Sequence, residues 1–285
     1  SAAPPHFPHH LPHDYAQLAE SLRESVALPA SLEDTFAGKP WFHAKPWWPC
    51  MDTSELDTEE WRTVIAYTFA HAAMVDEAIG RVLDTLDELG LAEKTCVVFT
   101  ADHGDMAGAH NRFDKGPYFY EEVWRIPLII RHPAAAPAVQ TAFVSLMDVA
   151  ETRFRLCGVP EDLRRPRQGR DLAPLVGTGT RPDGWPNLAY GRYDRYNGMS
   201  FAVRAIRDER FKYIWNPQAV DELYDLQADP AERVNRLDDP AVADTRKRLR
   251  TRLFAWMRET GDPLPDTTDT LPRAGTILAT GRPGP

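Results

Sequence analysis

The fold is decided by residues 95–133, TCVVFTADHGDMAGAHNRFDKGPYFYEEVWRIPLIIRHP. This stretch opens with a short, continuous and β-branched run at 95–100, which is typical of a strand covered on both faces. A second apolar run follows at 126–130, and Asp102-His103-Gly104 lies just after the first run. Ligands of open parallel α/β sheets collect outside the carboxyl ends of the strands. The stretch therefore predicts a buried strand that ends at a binding site.

The residues before and after this stretch predict the layers of the fold. Asp57 and Glu60 resemble a capping box, apolar residues then recur at helical spacing, and Gly90 suits a helix stop. A long amphipathic helix is predicted over about 58–89, and a second helix over 142–157. Because a helix followed by a buried strand favours parallel pairing, we expect the α/β class. The predicted architecture is part of a large, mostly parallel sheet sandwiched by helices.

The pattern of apolar and polar residues changes at about residue 181. FAVRAIRDERFKYIW alternates around Asp208-Glu209, which predicts an antiparallel hairpin, and a basic amphipathic helix follows at about 240–259. These features predict a small C-terminal α+β subdomain with an antiparallel sheet. The predicted domains are 1–180, which carries the portion of the α/β core with the strand end, and 181–285, which carries the subdomain and tail.

Composition narrows the classes of partner. The chain has 285 residues and a formal net charge of −9, which argues against nucleic acid or an anionic membrane as a partner. It contains no apolar run of the roughly 20 residues that a membrane helix needs. Its three cysteines form no disulfide framework, so we expect a reducing, cytoplasmic compartment, with the periplasm as the alternative. Residues 1–50 are rich in proline and are predicted to be irregular.

The Asp102-His103 pair admits two interpretations from the residues alone. One carboxylate and one imidazole can bind a divalent cation, although a catalytic metal normally takes at least three protein ligands. Alternatively, Asp102 caps a turn and His103 packs locally. Lys115 and the histidines near the N-terminus, His6 among them, are likewise compatible with an ordinary solvated surface.

Residues 95–130 resemble the metal-binding segment of the sulfatase family, in the alkaline phosphatase superfamily. Further stretches agree in the order of that family: PHFPHHLP resembles its Pro-His-x-Pro segment, and VDEAIGRVLDTLDELGLAEKT resembles the helix before the metal strand. RDERFKYIW and ELYDLQADPAERVNRLDDP resemble its C-terminal subdomain. The resemblance extends from His6 to about residue 260, and it implies hydrolysis of sulfuric esters.

The resemblance implies a role for each candidate site residue. Asp102 and His103 would form half of a site for one divalent metal ion. Lys115 would be catalytic and would bridge the substrate sulfate and the nucleophile. His6 would hold a sulfate or leaving-group oxygen and act as the general acid, and His110 is a weaker substrate contact. The family implies Ca²⁺ for many members and Mn²⁺ for the phosphonate-hydrolase branch, and imidazole is an unusual ligand for Ca²⁺.

One motif of the family is missing from this sequence. The nucleophile of sulfatases is a formylglycine made from the cysteine of Cys-x-Pro-x-Arg, and neither Cys50, Cys96 nor Cys157 lies in that motif. We therefore expect the formylglycine and the remaining metal ligands in an N-terminal part of the same enzyme, on this or a separate chain.

Three functions consequently stay open. The chain belongs to a sulfuric ester hydrolase, to a phosphonate monoester or phosphodiester hydrolase, or is a non-catalytic truncated module. The first two functions imply a small sulfate or phosphonate ester as substrate. Neither nucleic acid nor membrane is expected as a partner, and self-association into a homo-oligomer is left open.

Overall fold

The computed structural model describes residues 11–44, 52–163, 168–196 and 199–264. The helices of these ranges are α1 (His13–Leu22), α2 (Thr58–Glu88), α3 (Glu121–Trp124), α4 (Leu146–Leu156) and α5 (Ala243–Glu259). The strands are β1 (Val97–Thr100), β2 (Leu128–Arg131), β3 (Ala189–Tyr196), β4 (Met199–Arg207), β5 (Phe211–Trp215) and β6 (Glu222–Asp225). Short 3-10 helices lie at Trp41–His43, Ala92–Lys94, Glu161–Leu163, Ala173–Leu175 and Pro240–Val242. None of the described helices is both long and apolar enough to span a bilayer.

The long helix α2 starts and stops where the sequence predicts. The Asp57 side chain accepts hydrogen bonds from the backbone N–H groups of Glu59 and Glu60, and the Glu60 side chain accepts one from the Asp57 N–H. This reciprocal pair is a capping box, which satisfies N–H groups that have no partner within the helix. Gly90 follows the helix with a φ of 64°, a conformation that suits glycine.

Helix α1 corrects the expectation that residues 1–50 are irregular. It begins directly after Pro12, and residues 13–22 contain neither proline nor glycine, so nothing in them interrupts a helix. It packs against α2, and Leu22 contacts the small hydrophobic cluster that includes Ile65 and Ala66.

The strand pair β1–β2 departs from the predicted parallel arrangement. The two strands pair antiparallel, with Phe99 opposite Ile129. The predicted burial on both faces is also wrong for this pair. One face, with Leu128 and Ile130, packs on a buried cluster, whereas Phe99 is 38% exposed and Ile129 is 62% exposed. An apolar run alone reports neither strand direction nor the cover over each face, since both depend on other segments.

The C-terminal sheet has the strand order β3-β4-β5-β6, and every pair in it is antiparallel. The hairpin β4–β5 turns at residues 208–210, as the alternation predicts. Helix α5 covers the sheet, and its buried residues Leu249, Leu253 and Met257 recur every four positions, which places them on one helix face. The predicted α+β subdomain with an antiparallel sheet is therefore observed.

The contact between the two predicted domains is a continuous core. Phe119 and Tyr120, from the segment after the strand-end loop, share one hydrophobic cluster with Phe201 of β4 and Tyr224 of β6. The hydrophobic packing continues across the predicted domain boundary near residue 180 and does not locate it. That boundary stays a prediction.

A buried network of charged groups reinforces this contact. The Lys212 ammonium lies 2.6 Å from the carbonyl oxygen of Phe119, 3.0 Å from a Glu121 carboxylate oxygen and 2.7 Å from a Glu232 carboxylate oxygen. The Lys39 ammonium, also fully buried, donates to the carbonyl oxygen of Glu232. Removing one partner of such a network leaves an uncompensated buried charge, so the network strongly disfavours separation of the two parts.

Glu222 of β6 is one of two carboxyl groups in this region, with Glu232, whose charge depends on pH near neutrality. Its carboxyl group accepts hydrogen bonds from the Tyr224 hydroxyl and the Asn216 amide, and it is almost completely buried. Burial raises the pKa of Glu222 from 4.5 to about 7, although these hydrogen bonds and the charges of Lys39 and Lys212 lower it. Because the folded-state pKa lies above the unfolded value, this group stabilises the fold most below pH 4.5. The contribution is lost as the pH rises through about 7.

Glu222→Gln should therefore change the pH dependence of stability. Glutamine stays neutral, so between pH 5 and 7 the wild type should lose stability relative to the variant by on the order of 1 kcal/mol per pH unit. Urea unfolding of both proteins at several pH values measures this difference. The exposed substitution Glu93→Gln is the matched control and should leave the slope unchanged. A difference between wild type and Glu222→Gln that is constant with pH would contradict the raised pKa.

Candidate active site

The candidate site lies at the carboxyl end of β1, where the sequence predicts it. Asp102 follows the strand after one residue, and its side chain is 84% exposed. One of its carboxylate oxygens, Oδ1, accepts a hydrogen bond from the backbone N–H of His103 at 3.0 Å. Asp102 thus caps the local turn, as the alternative to metal binding predicts. Its second oxygen, Oδ2, lies 3.4 Å from Nε2 of His103.

The surroundings of His103 fix its tautomer. Its Nδ1 lies 2.8 Å from the carbonyl oxygen of Gly104, and a carbonyl oxygen can only accept, so Nδ1 carries the proton. In the neutral ring, Nε2 therefore presents a lone pair, and this atom lies 2.8 Å from the Lys115 ammonium. A histidine whose other ring nitrogen donates to a backbone carbonyl is the usual arrangement of a metal ligand.

These donors fit a divalent metal as half of a site. Oδ2 of Asp102 and Nε2 of His103 face each other, so one carboxylate oxygen and one imidazole nitrogen are presented together. Within the described ranges, no group of three histidine, cysteine, aspartate or glutamate side chains is placed to hold a metal ion. The remaining ligands would have to come from outside these ranges, so the half site stays a prediction.

The loop between His103 and Lys115 has an unusual backbone. Five of its residues have a positive φ: Ala107, Gly108, His110, Asn111 and Asp114. For a non-glycine residue such a conformation costs on the order of 1–3 kcal/mol, and it persists only where the surroundings enforce it. Burial also raises the pKa of Asp105 in this loop, whose carboxylate accepts from the Ala107 N–H.

Contacts from other segments enforce this loop. The Trp61 indole N–H of α2 donates to the Asn111 side chain at 3.1 Å, and the Thr53 hydroxyl donates to the Asn111 carbonyl oxygen at 2.6 Å. Gly108 lies directly on the Trp61 ring, where an added Cβ would come within 3.1 Å of a ring carbon.

His110 does not join the exposed cluster, and its predicted role as a substrate contact stays a prediction. Its side chain is fully buried, Nδ1 lies 2.6 Å from Oδ2 of Asp34, and its ring stacks on Tyr120 with 3.7 Å between centroids. Burial lowers the pKa of His110 to about 4. In the described part of the chain, this neutral, buried ring contacts the Asp34 carboxylate and the ring of Tyr120.

Asp34 and Tyr120 are structural partners of the site that the sequence pattern does not reveal. Asp34 lies 76 residues before His110, and no periodicity or motif links the two. Burial favours a raised pKa for Asp34, but hydrogen bonds from His110 and Lys39 lower it to about 2. The remaining predicted residue, His6, lies outside the described residues.

Comparisons with known proteins identify the family of this chain. The sulfatase family model, described as "Sulfatase", matches residues 3–159, and a second model, "N-sulphoglucosamine sulphohydrolase, C-terminal", matches residues 108–259. The chain therefore belongs to the sulfatase family.

Curated relatives agree with this assignment. The chain is 36% identical over 206 residues to an N-acetylglucosamine-6-O-sulfatase of Bacteroides thetaiotaomicron, which covers 69% of this chain and 36% of the relative. It is 31% identical over 265 residues to the uncharacterized sulfatase YidJ of Escherichia coli, which covers 91% of this chain and 50% of the relative. The chain thus spans about a third to a half of the length of these relatives.

Solved structures share the α/β fold. The phosphonate monoester hydrolase SpPMH of Silicibacter pomeroyi superposes with a TM-score of 0.75 at 26% identity, covering 98% of this chain and 58% of that protein. The structure of BT4656 in complex with D-glucosamine-2-N,6-O-disulfate gives a TM-score of 0.71 at 25% identity, covering 91% and 65%. The predicted α/β class is confirmed by these neighbours.

Gly104, inside the Asp-His-Gly sequence, should tolerate no side chain. A Cβ there would lie 1.9 Å from the Glu122 carbonyl oxygen, which belongs to the backbone and cannot move aside. Gly104→Ala should therefore lower the free energy of unfolding by more than about 2 kcal/mol. Gly80→Ala, in the interior of α2 with open space around it, is the matched control and should stabilise by about 1 kcal/mol. Denaturant unfolding distinguishes the two, and equal effects would refute the close approach at Gly104.

Proposed function

We propose that this chain carries the C-terminal part of a sulfuric ester hydrolase. The observation that carries the proposal is the convergence of Asp102, His103 and Lys115 at the end of β1, in a chain of the sulfatase family. The proposed substrate is a small sulfate ester, and the expected nucleophile is a formylglycine in an N-terminal part of the same enzyme.

The chemistry assigned to these residues follows from their charges. Lys115 presents a compact ammonium, which suits stabilisation of the negative charge that develops on the ester oxygens during cleavage. The Nδ1 proton of His103 faces the Gly104 carbonyl oxygen, so Nε2 has the one lone pair of the ring, which faces Lys115. A metal ion bound to Nε2 would replace this hydrogen bond and free the ammonium for the substrate. A divalent ion bound by Asp102 and His103, Ca²⁺ or Mn²⁺, would act as a Lewis acid toward a substrate oxygen. We assign His6 to the leaving-group oxygen as general acid.

A phosphonate monoester hydrolase is the second candidate function. The match to the Silicibacter pomeroyi enzyme, which covers nearly the whole chain, favours it. The imidazole of His103 also suits Mn²⁺ better than Ca²⁺. A phosphonate monoester, like a sulfate monoester, has an anionic tetrahedral centre. The side chains of Asp102, His103 and Lys115 would therefore serve both substrates.

Removal of the Lys115 ammonium tests the proposed function. In the enzyme that includes the N-terminal part, Lys115→Met should lower kcat by at least about 10²-fold, since one charge-stabilising donor is lost. Lys247→Met, at an exposed position of α5, is the matched control and should retain activity. Turnover of aryl sulfates and of phenyl phosphonates, measured side by side, identifies the preferred ester.

Measuring the metal content of the same variants distinguishes the proposed metal ligand, Asp102, from the proposed charge-stabilising residue, Lys115. Asp102→Asn should lower the bound metal found by elemental analysis, whereas Lys115→Met should leave it unchanged. Near-normal turnover by Lys115→Met would indicate that Lys115 is an ordinary surface lysine. Hydrolysis of neither ester by the wild-type enzyme would favour the non-catalytic module.

We also propose that the N-terminal part of the enzyme covers exposed apolar side chains of this chain. These side chains are Phe69, Val75 and Val82 of α2, Phe99 of β1 and Ile129 of β2. The chain spans at most half of its two named curated relatives, so a further segment of comparable length is available in them. The free thiols of Cys96 and Cys157 support the proposed cytoplasmic location of the assembled protein.

A charge at one of these apolar positions should weaken the proposed association. Ile129→Asp should lower the affinity of the chain for a separately expressed N-terminal part by at least about tenfold, because burying an unpaired carboxylate is costly. Val139→Asp, at an 85% exposed loop position, is the matched control and should change the affinity by less than about twofold. Titration calorimetry measures both. The unmixed chain should hydrolyse no sulfate ester, and metal-dependent turnover by it alone would refute the need for a partner.

A further inference from the structure

The loop that joins His103 to Lys115 is a closed, hairpin-like structure. The Met106 N–H donates to the Asp114 carbonyl oxygen at 3.0 Å, and the Gly108 N–H donates to the Arg112 carbonyl oxygen at 2.9 Å. These bonds hold the two arms of the loop side by side. One arm begins at His103 and the other ends at Lys115, so the 2.8 Å contact between their side chains depends on the shape of the whole loop.

The tip of this loop is anchored by His110. The His110 backbone N–H donates to the Ser31 hydroxyl at 3.1 Å, and its ring lies between the Asp34 carboxylate and the face of Tyr120. The backbone of His110 has a φ of 53°, so the tip holds a conformation that requires support.

The contact of His110 with Asp34 is directional. Nε2 of His110 is buried and has no hydrogen-bond partner in the structure, whereas Nδ1 lies 2.6 Å from Oδ2 of Asp34. In a neutral ring the single N–H must face the carboxylate, since a buried N–H without an acceptor is more costly than an unused lone pair. The same Oδ2 also accepts from Lys39 at 2.5 Å, which fixes the carboxylate in place.

We infer that Asp34 and His110 are positioning residues, which clamp the tip of the loop and thereby hold Lys115 against Nε2 of His103. The clamp touches neither substrate nor metal. Its geometrical part is independent of the reaction, and its consequence for catalysis rests on the proposed function.

The test follows the contact between Lys115 and His103 directly. The probe is the ¹⁵N NMR signal of Nε2 of His103 in the 285-residue chain, which responds to a hydrogen bond from Lys115. Lys115→Met gives the reference position of this signal without the bond. Asp34→Asn should move the signal most of the way to that reference, and His110→Asn, which tolerates a positive φ, should do the same.

Asp262→Asn is the matched control. Asp262 is another buried carboxylate, 2.5 Å from Arg204 in the C-terminal part, so its loss costs stability without touching the loop. It should leave the His103 signal at the wild-type position. If Asp34→Asn and His110→Asn, shown to be folded by circular dichroism, also keep that position, the clamp is refuted. A wild-type signal that already equals the Lys115→Met reference refutes it as well.

Kinetics of the enzyme with its N-terminal part give the second readout. Asp34→Asn should lower kcat by at least about tenfold with a smaller change in KM, because a misplaced charge-stabilising group acts mainly in the transition state. Asp262→Asn should change neither constant by as much. Unchanged kcat in Asp34→Asn overturns the catalytic consequence. A wild-type enzyme that hydrolyses neither ester rejects the proposed function, and the NMR result then still decides whether the clamp exists.

Discussion

The organisation of this protein depends on one carboxylate oxygen, Oδ2 of Asp34, which has two buried donors. Lys39 approaches it at 2.5 Å and His110 at 2.6 Å. Lys39 in turn donates to the Glu232 carbonyl oxygen, and His110 lies at the tip of the loop that follows β1. A single buried charge therefore connects the N-terminal segment, the candidate site and the C-terminal subdomain. Loss of this carboxylate would remove an acceptor from both donors and leave the buried Lys39 charge uncompensated, which makes separation of these parts costly.

The elements that the sequence predicts well are those that local physics determines. The capping box of Asp57 and Glu60 involves residues three positions apart, and the hairpin β4–β5 involves one turn. The strand end with Asp102 and His103 was also recognisable, because an apolar run and its polar terminus are contiguous. The tautomer of His103 is also set locally, by the carbonyl oxygen of the next residue, Gly104.

The features that the sequence misses all depend on distant partners. The antiparallel direction of β1 and β2 depends on the path of the chain between them. The buried contact of His110 depends on Asp34, 76 residues away, and the short distance of His110 to Lys115 in sequence gives no sign of that partner. Strand β3 contains five charged or tyrosine residues in a row, RYDRY. It is an edge strand of its sheet and lacks the apolar run that marks a central strand.

The raised pKa of Glu222 couples folding to the solvent in a further way. Near pH 7 this carboxyl is partly protonated in the folded chain, whereas in the unfolded chain it is ionised. Folding at neutral pH therefore takes up a fraction of a proton from the buffer. The heat released on folding then includes the ionisation enthalpy of whichever buffer supplies that proton, so the apparent folding enthalpy differs between phosphate and Tris solutions although the folded structure is the same.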